Sequence, residues 1–289
     1  EPRPGKGQES MRQAKVEIGD GTVTLRLAFT DWGPPAADRT VVCVHGLTRN
    51  GRDFDVLAER LSRKARVLCF DVAGRGGSDW LVDPLRYAVP IYCQHLRLTL
   101  RRLGVEACDW VGTSMGGLIG MGLAPLPGSP VRRLVLNDVG PLVPKSALEL
   151  IGRYLGLDIS FPDLAALEAH LRQIHAPFGP LTDAQWRHLA FHSARTDGSV
   201  WRLHYDPRIR QPFVGAGLAD IEIWPVYDAI ACPTLLIRGA DSLLLSAETA
   251  EAMTGRGPKA KLVTFTGAGH APALMADDQV EAIAGWLGL

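Results

Sequence analysis

The chain has 289 residues, 46% of them hydrophobic and 21% charged, which is enough apolar material for a sizeable buried core without disulfides. Thirty-one basic residues balance thirty-one acidic ones, so charge does not favour nucleic acid or an anionic membrane as a partner. The five cysteines are an odd number, and Cys43 and Cys69 lie in apolar runs where free thiols pack as small hydrophobes. We therefore expect a protein of the reducing cytoplasm, monomeric or homodimeric, that acts on a small molecule.

The N-terminal residues 1–13 are predicted to form a flexible leader. Residues 1–10 are rich in glycine, proline and charge and lack the apolar core of a signal peptide. Beyond them, no window approaches the roughly 18 uninterrupted apolar residues that a membrane-spanning helix requires. Two alternating stretches, residues 15–18 and 22–29, are joined by Gly-Asp-Gly and predict an antiparallel hairpin at the edge of a sheet.

The pattern then changes to short, strongly apolar runs that are typical of parallel strands buried on both faces. These runs are residues 40–44, 66–70, 107–111, 131–136, 234–237 and 261–265. Helical patterns lie between them, for example over residues 54–61 and 90–103. The alternation predicts an α/β fold with right-handed crossovers, whose core comprises residues 14–139 and 231–289.

One long interval, residues 140–230, interrupts this alternation. It contains helical patterns around residues 146–155, 163–174 and 183–194, and we expect no strand in it. Because such an interval is too long for a loop, we interpret it as a helical lid over the carboxyl edge of the sheet.

The strongest chemical signal is Gly-Thr-Ser-Met-Gly-Gly at residues 112–117, directly after a predicted strand and before an apolar helical segment. Glycines at this spacing permit a sharp turn between strand and helix that exposes the hydroxyl of Ser114. The turn also places the amide of Met115 at a helix N-terminus, where it can stabilise an oxyanion. Ser114 is therefore the candidate nucleophile.

A hydroxyl nucleophile needs a base, and Gly-Ala-Gly-His-Ala-Pro at residues 267–272 supplies His270 on a small-residue loop after the last predicted strand. Another predicted strand ends in Cys-Val-His-Gly-Leu at residues 43–47, and its loop is where the second oxyanion amide of such a site is found. We assign that amide to Leu47 and interpret His45 as a structural brace for the loop.

Taken together, four motifs in this order and spacing resemble the α/β-hydrolase superfamily over nearly all of residues 15–289. They are His45-Gly46, the Asp-x-x-Gly-x-Gly-x-Ser stretch at residues 71–78, Gly112 to Gly116, and Gly269-His270. The resemblance implies the α/β-hydrolase fold, a mostly parallel eight-stranded sheet flanked by helices, with the helical lid inserted after strand 6. It also implies hydrolysis through an acyl-enzyme, without a metal or an organic cofactor.

The acid of the expected triad has two candidates. In similar sequences it follows the seventh strand, three or four residues beyond a glycine, where this chain has Ser242 and Leu243. Asp241 lies one or two positions earlier, and Asp138 follows the sixth strand. We prefer Asp241 and keep Asp138 as the alternative, because geometry and not sequence position decides which carboxylate orients the imidazole.

These residues predict a serine hydrolase for a small carboxylic ester or lactone. Arg49, Arg52 and Tyr205 are candidate substrate contacts, since arginines beside an oxyanion loop can hold a carboxylate or, equally, brace the lid. Two alternatives remain open: a carbon–carbon bond hydrolase or perhydrolase that uses the same triad, and a non-catalytic member that binds a ligand in the pocket.

Overall fold

The computed structural model describes residues 11–19, 24–213 and 219–289. Its main sheet has eight strands, which we number in chain order: β1 (Arg12–Gly19), β2 (Thr24–Trp32), β3 (Thr40–Val44), β4 (Arg66–Phe70), β5 (Cys108–Thr113), β6 (Val131–Asn137), β7 (Thr234–Gly239) and β8 (Lys261–Phe265). Their spatial order is β1-β2-β4-β3-β5-β6-β7-β8. Strand β2 is antiparallel to both β1 and β4, and all other neighbours are parallel.

The N-terminal hairpin is present as predicted, with β2 pairing the full length of β1. Strand β1 begins at Arg12, which is inside the range expected to be leader, so that boundary was placed too late. Residues 1–10, Asp20 and Gly21 of the predicted turn, and Thr22 and Val23 at the start of the second predicted stretch lie outside the described residues.

Nine helices are described: α1 (Asp55–Leu61), α2 (Val89–Arg102), α3 (Met115–Leu123), α4 (Lys145–Gly152), α5 (Leu164–Ile174), α6 (Asp183–Ser193), α7 (Trp224–Asp228), α8 (Ala247–Gly255) and α9 (Asp277–Leu287). Short 3-10 helices cover Gly51–Phe54, Pro84–Arg86, Ala176–Phe178 and Pro207–Phe213. Within the described ranges, no helix is long and apolar enough to cross a membrane.

Helices cover both faces of the sheet, and strand periodicity divides the core between the faces. In β3, Val42 and Val44 belong to the apolar cluster that contains residues of α2, α3 and α8. Val41 and Cys43, which point the other way, belong to the cluster that contains residues of α1 and α9. Because side chains alternate along a strand, strands buried on both faces must be apolar at every position, as the predicted runs are.

The interval between β6 and β7 differs from the prediction in one respect, because it contains strands. Leu142–Val143 pairs with Ile221–Glu222, and Ala194–Asp197 forms a hairpin with Val200–Leu203. The two hairpin strands are joined by Gly198 and Ser199, with Gly198 at φ +62°, a positive dihedral that glycine adopts without strain.

The same interval packs on the loops at the carboxyl edge of the main sheet. The amide of Gly269 donates to Pro177 O at 2.7 Å, and that of Gly76 donates to His204 O at 2.9 Å. The side chain of Asn50 donates to His192 O at 3.0 Å. These contacts place Pro177, His192 and His204 of this interval against loops at the carboxyl edge of the sheet.

Candidate active site

The turn that carries Ser114 is sharp and strained, as its glycines predict. Ser114 has φ +51° and ψ −114° between the end of β5 and the start of α3, a conformation that costs a non-glycine residue energy. A β-carbon at Gly116 would overlap the carbonyl oxygen of Val44. Only glycine lets α3 approach β3 closely enough to close this turn.

Three side chains from distant parts of the chain form a continuous hydrogen-bonded line. His270 Nε2 lies 2.9 Å from Ser114 Oγ, and His270 Nδ1 lies 2.7 Å from Asp138 Oδ2. The side chain of His270 is 24% exposed, whereas that of Asp138 is fully buried. The structure therefore joins the predicted nucleophile and base directly.

The carboxylate beside His270 is the alternative candidate, Asp138, and not the preferred Asp241. Asp138 Oδ1 accepts from the amide of Gly239 at 2.8 Å, and Oδ2 accepts from Ser242 Oγ at 2.6 Å. Asp241 is exposed, and its amide donates to Ala268 O at 3.0 Å. The structure thus brings Asp138 to His270 and does not bring Asp241 there, because the turn after β7 directs the hydroxyl of Ser242, the next residue, to the Asp138 carboxylate.

Ser242 and Asn137 are site residues that the sequence analysis did not identify. Ser242 occupies one of the two places where similar sequences carry the acid, so that position was itself the missed signal. Asn137 ends β6, accepts the amide of Ser114 on its backbone oxygen at 2.9 Å, and donates through Nδ2 to Thr113 Oγ1 and Pro272 O. It thereby links the nucleophile turn to the loop that carries His270.

Of the two predicted oxyanion residues, Met115 directly follows Ser114, and Leu47 lies in a loop that runs beside it. Met115 is the first residue of α3, so its amide has no intrahelical carbonyl partner. An ideal β-carbon at Gly46, the residue before Leu47, would lie 3.7 Å from Ser114 Cβ. The loop that contains Leu47 therefore runs close to the nucleophile.

His45 braces this loop, as expected. Its Nε2 accepts the amide of Val72 at 2.9 Å, and its Nδ1 lies 2.7 Å from Gly46 O. Complete burial lowers the pKa of His45 to about 3, because the charged imidazolium is poorly solvated there. His45 is consequently neutral at physiological pH and bridges the backbone of Val72 and Gly46.

Asp71 anchors the neighbouring turn. Its two oxygens accept the amides of Gly51 and Gly77 at 2.7 and 2.8 Å. Burial raises the pKa of Asp71 to about 6 despite these hydrogen bonds, so both amides are held by a carboxylate that is charged at neutral pH.

The three predicted substrate contacts occupy different surroundings. Arg49 is buried and forms a two-point pair with Asp53. It lines a small cavity together with Thr113 and Ala271, the residues adjacent to the nucleophile and the base. Tyr205 and Arg49 also line a second small cavity, on the side of α5.

Arg52 lies elsewhere. It pairs with Asp55 and lines a separate cavity of about 400 Å³ together with Lys15 and His204. Of the three, Arg49 therefore borders the cavity beside the residues adjacent to Ser114 and His270, whereas Tyr205 and Arg52 line other cavities.

One group of side chains has the composition of a metal site. Ligand atoms of Asp55, His188 and His192 all lie within 4.8 Å of one another. Arg52 already fills this position, since it donates to the Asp55 carboxylate and its NH1 lies 3.4 Å from His192 Nδ1. The guanidinium supplies the positive charge that the carboxylate requires.

Comparison with known proteins agrees with the geometry. The family model described as alpha/beta hydrolase fold matches residues 39–276. A 3-hydroxybutyrate-oligomer hydrolase from Cupriavidus necator is 48% identical over 266 residues, covering 88% of this chain and 90% of that protein. An esterase from Mycobacterium tuberculosis is 30% identical over 228 residues, covering 76% of this chain and 72% of that protein.

Solved structures show the same architecture. A crystal structure of an alpha/beta hydrolase from Novosphingobium aromaticivorans matches with a TM-score of 0.86 and 37% identity, covering 98% of this chain and 99% of that chain. The chain therefore belongs to the alpha/beta hydrolase fold family, as an enzyme that hydrolyses ester bonds.

Proposed function

We propose that Ser114, His270 and Asp138 form the catalytic triad, and that the substrate is a short oligomer of 3-hydroxybutyrate or a closely related hydroxyacyl ester. The observation that carries the first part is the hydrogen-bonded line from Ser114 Oγ through His270 to Asp138 Oδ2, at 2.9 and 2.7 Å. Both distances are within the range in which a base can take the proton of a nucleophile and be oriented by a third group.

In this mechanism Ser114 Oγ attacks the ester carbonyl carbon and gives its proton to His270 Nε2. The amides of Leu47 and Met115 hold the negative charge that develops on the carbonyl oxygen. The imidazolium then protonates the departing alcohol, which leaves an acyl group on Ser114. A water molecule repeats the sequence and releases the acid, while Asp138 stabilises the charged imidazole in both halves.

One observation and the chemistry of the oligomers support the substrate class. The relative from C. necator is named for 3-hydroxybutyrate oligomers, and its similarity extends over 88% of this chain. Such oligomers are esters that end in a free carboxylate, which an arginine can hold by paired, charge-assisted hydrogen bonds.

Arg49 is the cation in position for that carboxylate. Its Nε and NH2 are used by Asp53, which leaves NH1 for a ligand. The side chain is also close to the nucleophile, since an ideal β-carbon at Gly46 would lie 3.9 Å from Arg49 Cγ and 3.7 Å from Ser114 Cβ. We infer that Arg49 anchors the free-acid end of the oligomer.

The test is hydrolysis of the 3-hydroxybutyrate trimer by the purified enzyme, followed by chromatographic separation of the monomer and dimer products. We expect turnover by the wild type and a loss of at least about 10³-fold in Ser114→Ala. Hydrolysis of p-nitrophenyl butyrate without any turnover of the trimer would retain the triad and reject the substrate class. Trimer hydrolysis that survives Ser114→Ala would reject the triad itself.

The anchor is tested with the trimer and its methyl ester. Arg49→Met should raise KM for the free acid by about tenfold and leave KM for the methyl ester within about twofold, because only the free acid carries the charge. Asp53→Asn is the matched control, since it disturbs the same pair and keeps the cation. An equal rise in KM for both substrates in Arg49→Met would show that Arg49 only supports the loop.

A further inference from the structure

Arg75 is a fully buried cation beneath the active site. Its side chain is 0% exposed, and its donors meet four neighbours: Nε donates to Leu47 O at 2.8 Å, NH1 donates to Ala73 O at 2.7 Å and Tyr92 Oη at 2.8 Å, and NH2 lies 3.7 Å from Met115 Sδ. The described residues thus offer this guanidinium two carbonyl oxygens, a phenol, a thioether and no carboxylate.

Three other arginines that are wholly or partly buried have a carboxylate partner. Arg39 pairs with Asp109, Arg49 with Asp53 and Arg66 with Asp31. A buried charge without a counter-ion is costly, because neutral hydrogen-bond partners replace hydration only in part. The aromatic rings of Tyr87 and Tyr92 lie 5.6 and 5.1 Å from the guanidinium and contribute cation–π attraction. Tyr87 Oη also donates to the buried Asp206 at 2.6 Å, but this carboxylate is paired with Arg208 and reaches Arg75 only through the phenol.

The location of the charge suggests what offsets this cost. Two of the four neighbours, Leu47 and Met115, are the residues whose amides are assigned to the oxyanion site. During the reaction a negative charge develops there, in surroundings of low dielectric where a fixed positive charge acts strongly. The direct counter-ion that Arg75 lacks in the resting enzyme would then be the oxyanion of the transition state.

The turn that carries Arg75 is held in place from two sides. Asp71, at its start, accepts the amide of Gly77 at 2.8 Å. From residues 140–230, His204 O accepts the amide of Gly76, and the amide of Asp206 donates to Gly74 O. The guanidinium is therefore fixed before substrate binds, as preorganised electrostatic stabilisation requires.

We propose that Arg75 is a positioning residue of the oxyanion site, which holds the Leu47 loop against the Met115 end of α3 and places a positive charge beneath the developing oxyanion. This proposal rests on the proposed catalytic role of Ser114, but it does not depend on the 3-hydroxybutyrate substrate. It is accordingly tested with p-nitrophenyl butyrate, after Ser114→Ala has shown that turnover of this ester requires Ser114.

The variants are Arg75→Lys and Arg75→Met, with Arg256→Met as the matched control, because Arg256 is an exposed arginine paired with Asp228. We expect Arg75→Met to lower kcat by about 10- to 100-fold, somewhat less than the loss of a direct oxyanion donor. KM should change by no more than about threefold. Arg75→Lys keeps the charge without the planar fork and should lose about tenfold in kcat, whereas Arg256→Met should match the wild type.

A second measurement separates this role from a purely structural one. Ser114 Oγ adds to the carbonyl carbon of a trifluoromethyl ketone, and the adduct is an anionic tetrahedral one. The affinity for this inhibitor should fall in Arg75→Met by the same factor by which kcat falls. Unchanged kcat and inhibitor affinity in a folded but less stable variant would overturn the proposal. Should Arg75→Met not fold, Arg75→Lys decides: parallel losses in kcat and inhibitor affinity support the proposal, and wild-type values for both reject it.

Discussion

At the scale of single residues, the acid of the proposed triad is the most informative position, because residues from two loops build its surroundings. Asp138 supplies the carboxylate from the end of β6, and Ser242 approaches from the turn after β7 and donates to the same oxygen that faces His270. The amide of Gly239 satisfies the other oxygen. Three donors therefore fix a buried carboxylate in one orientation, which also fixes the tautomer of the imidazole.

This arrangement predicts that Asp138→Asn lowers kcat/KM for any ester substrate by about 10²- to 10⁴-fold, since the imidazolium loses its counter-ion and its correct tautomer is no longer enforced. Asp241→Asn is the control and should retain activity within about twofold, because Asp241 is exposed. Steady-state kinetics on both purified variants checks the assignment. A larger loss in Asp241→Asn than in Asp138→Asn would contradict it.

Ser114 and His270 could be predicted from the sequence because each lies in a short motif whose local geometry determines its exposure. The acid could not, since its position depends on where two loops from separate strands meet. Ser242 and Asn137 were missed for the same reason: their partners, Asp138 and the Thr113 and Pro272 pair, are supplied by other segments. For Ser242 the available signal was its place three residues beyond Gly239, where similar sequences carry the acid; for Asn137 there was none.

At the scale of elements, the predicted strands of the main sheet are present because strands buried on both faces require continuous apolar runs. The hairpin Ala194–Asp197 and Val200–Leu203 was missed because each strand has only four residues and neither is a continuous apolar run: every residue is half-buried or exposed. Its turn residues, Gly198 and Ser199, were the available signal, because a Gly-Ser pair between two short segments is typical of a hairpin.

The junction of β5 and α3 yields the prediction at this scale. Gly116→Ala should destabilise the protein by at least about 3 kcal/mol, because its methyl group would overlap Val44 O in a part of the core that cannot relax. Gly285→Ala is the matched change at an exposed position of α9, where a β-carbon meets nothing within 4 Å, and it should stabilise the protein by roughly 0.5 to 1 kcal/mol. Urea denaturation of both variants measures the contrast, and similar midpoints would refute the close approach of α3 to β3.

At the scale of the whole molecule, the described part of the 140–230 interval meets the core beside one buried histidine. His175 follows α5, is 8% exposed, and stacks on Phe178 with ring centroids 4.5 Å apart. Burial, followed by the charges of Arg49, His170 and His270, holds the pKa of His175 well below its usual value of 6.5. The interface between this interval and the core therefore contains an imidazole that stays neutral as the solution becomes acidic.

That neutrality makes the stability of the fold depend on pH. Below about pH 6.5 the unfolded chain binds a proton at His175 that the folded chain does not, so the free energy of unfolding decreases as the pH falls. Between pH 7 and pH 5 this one group should cost about 1 to 2 kcal/mol. His175→Phe keeps a ring against Phe178 and removes the titration, so its stability should decline less over that interval by about this amount.

Urea denaturation at pH 7 and pH 5 measures the difference, and comparison of the two pH values within each variant removes any constant effect of packing. Phe178→Leu is the matched control, because it breaks the stack and leaves the imidazole, so it should lower stability equally at both pH values. A His175→Phe curve parallel to that of the wild type would mean that His175 is protonated in the folded state. The part of the chain that contains His175 would then separate from the core, or let water reach His175, before the molecule unfolds.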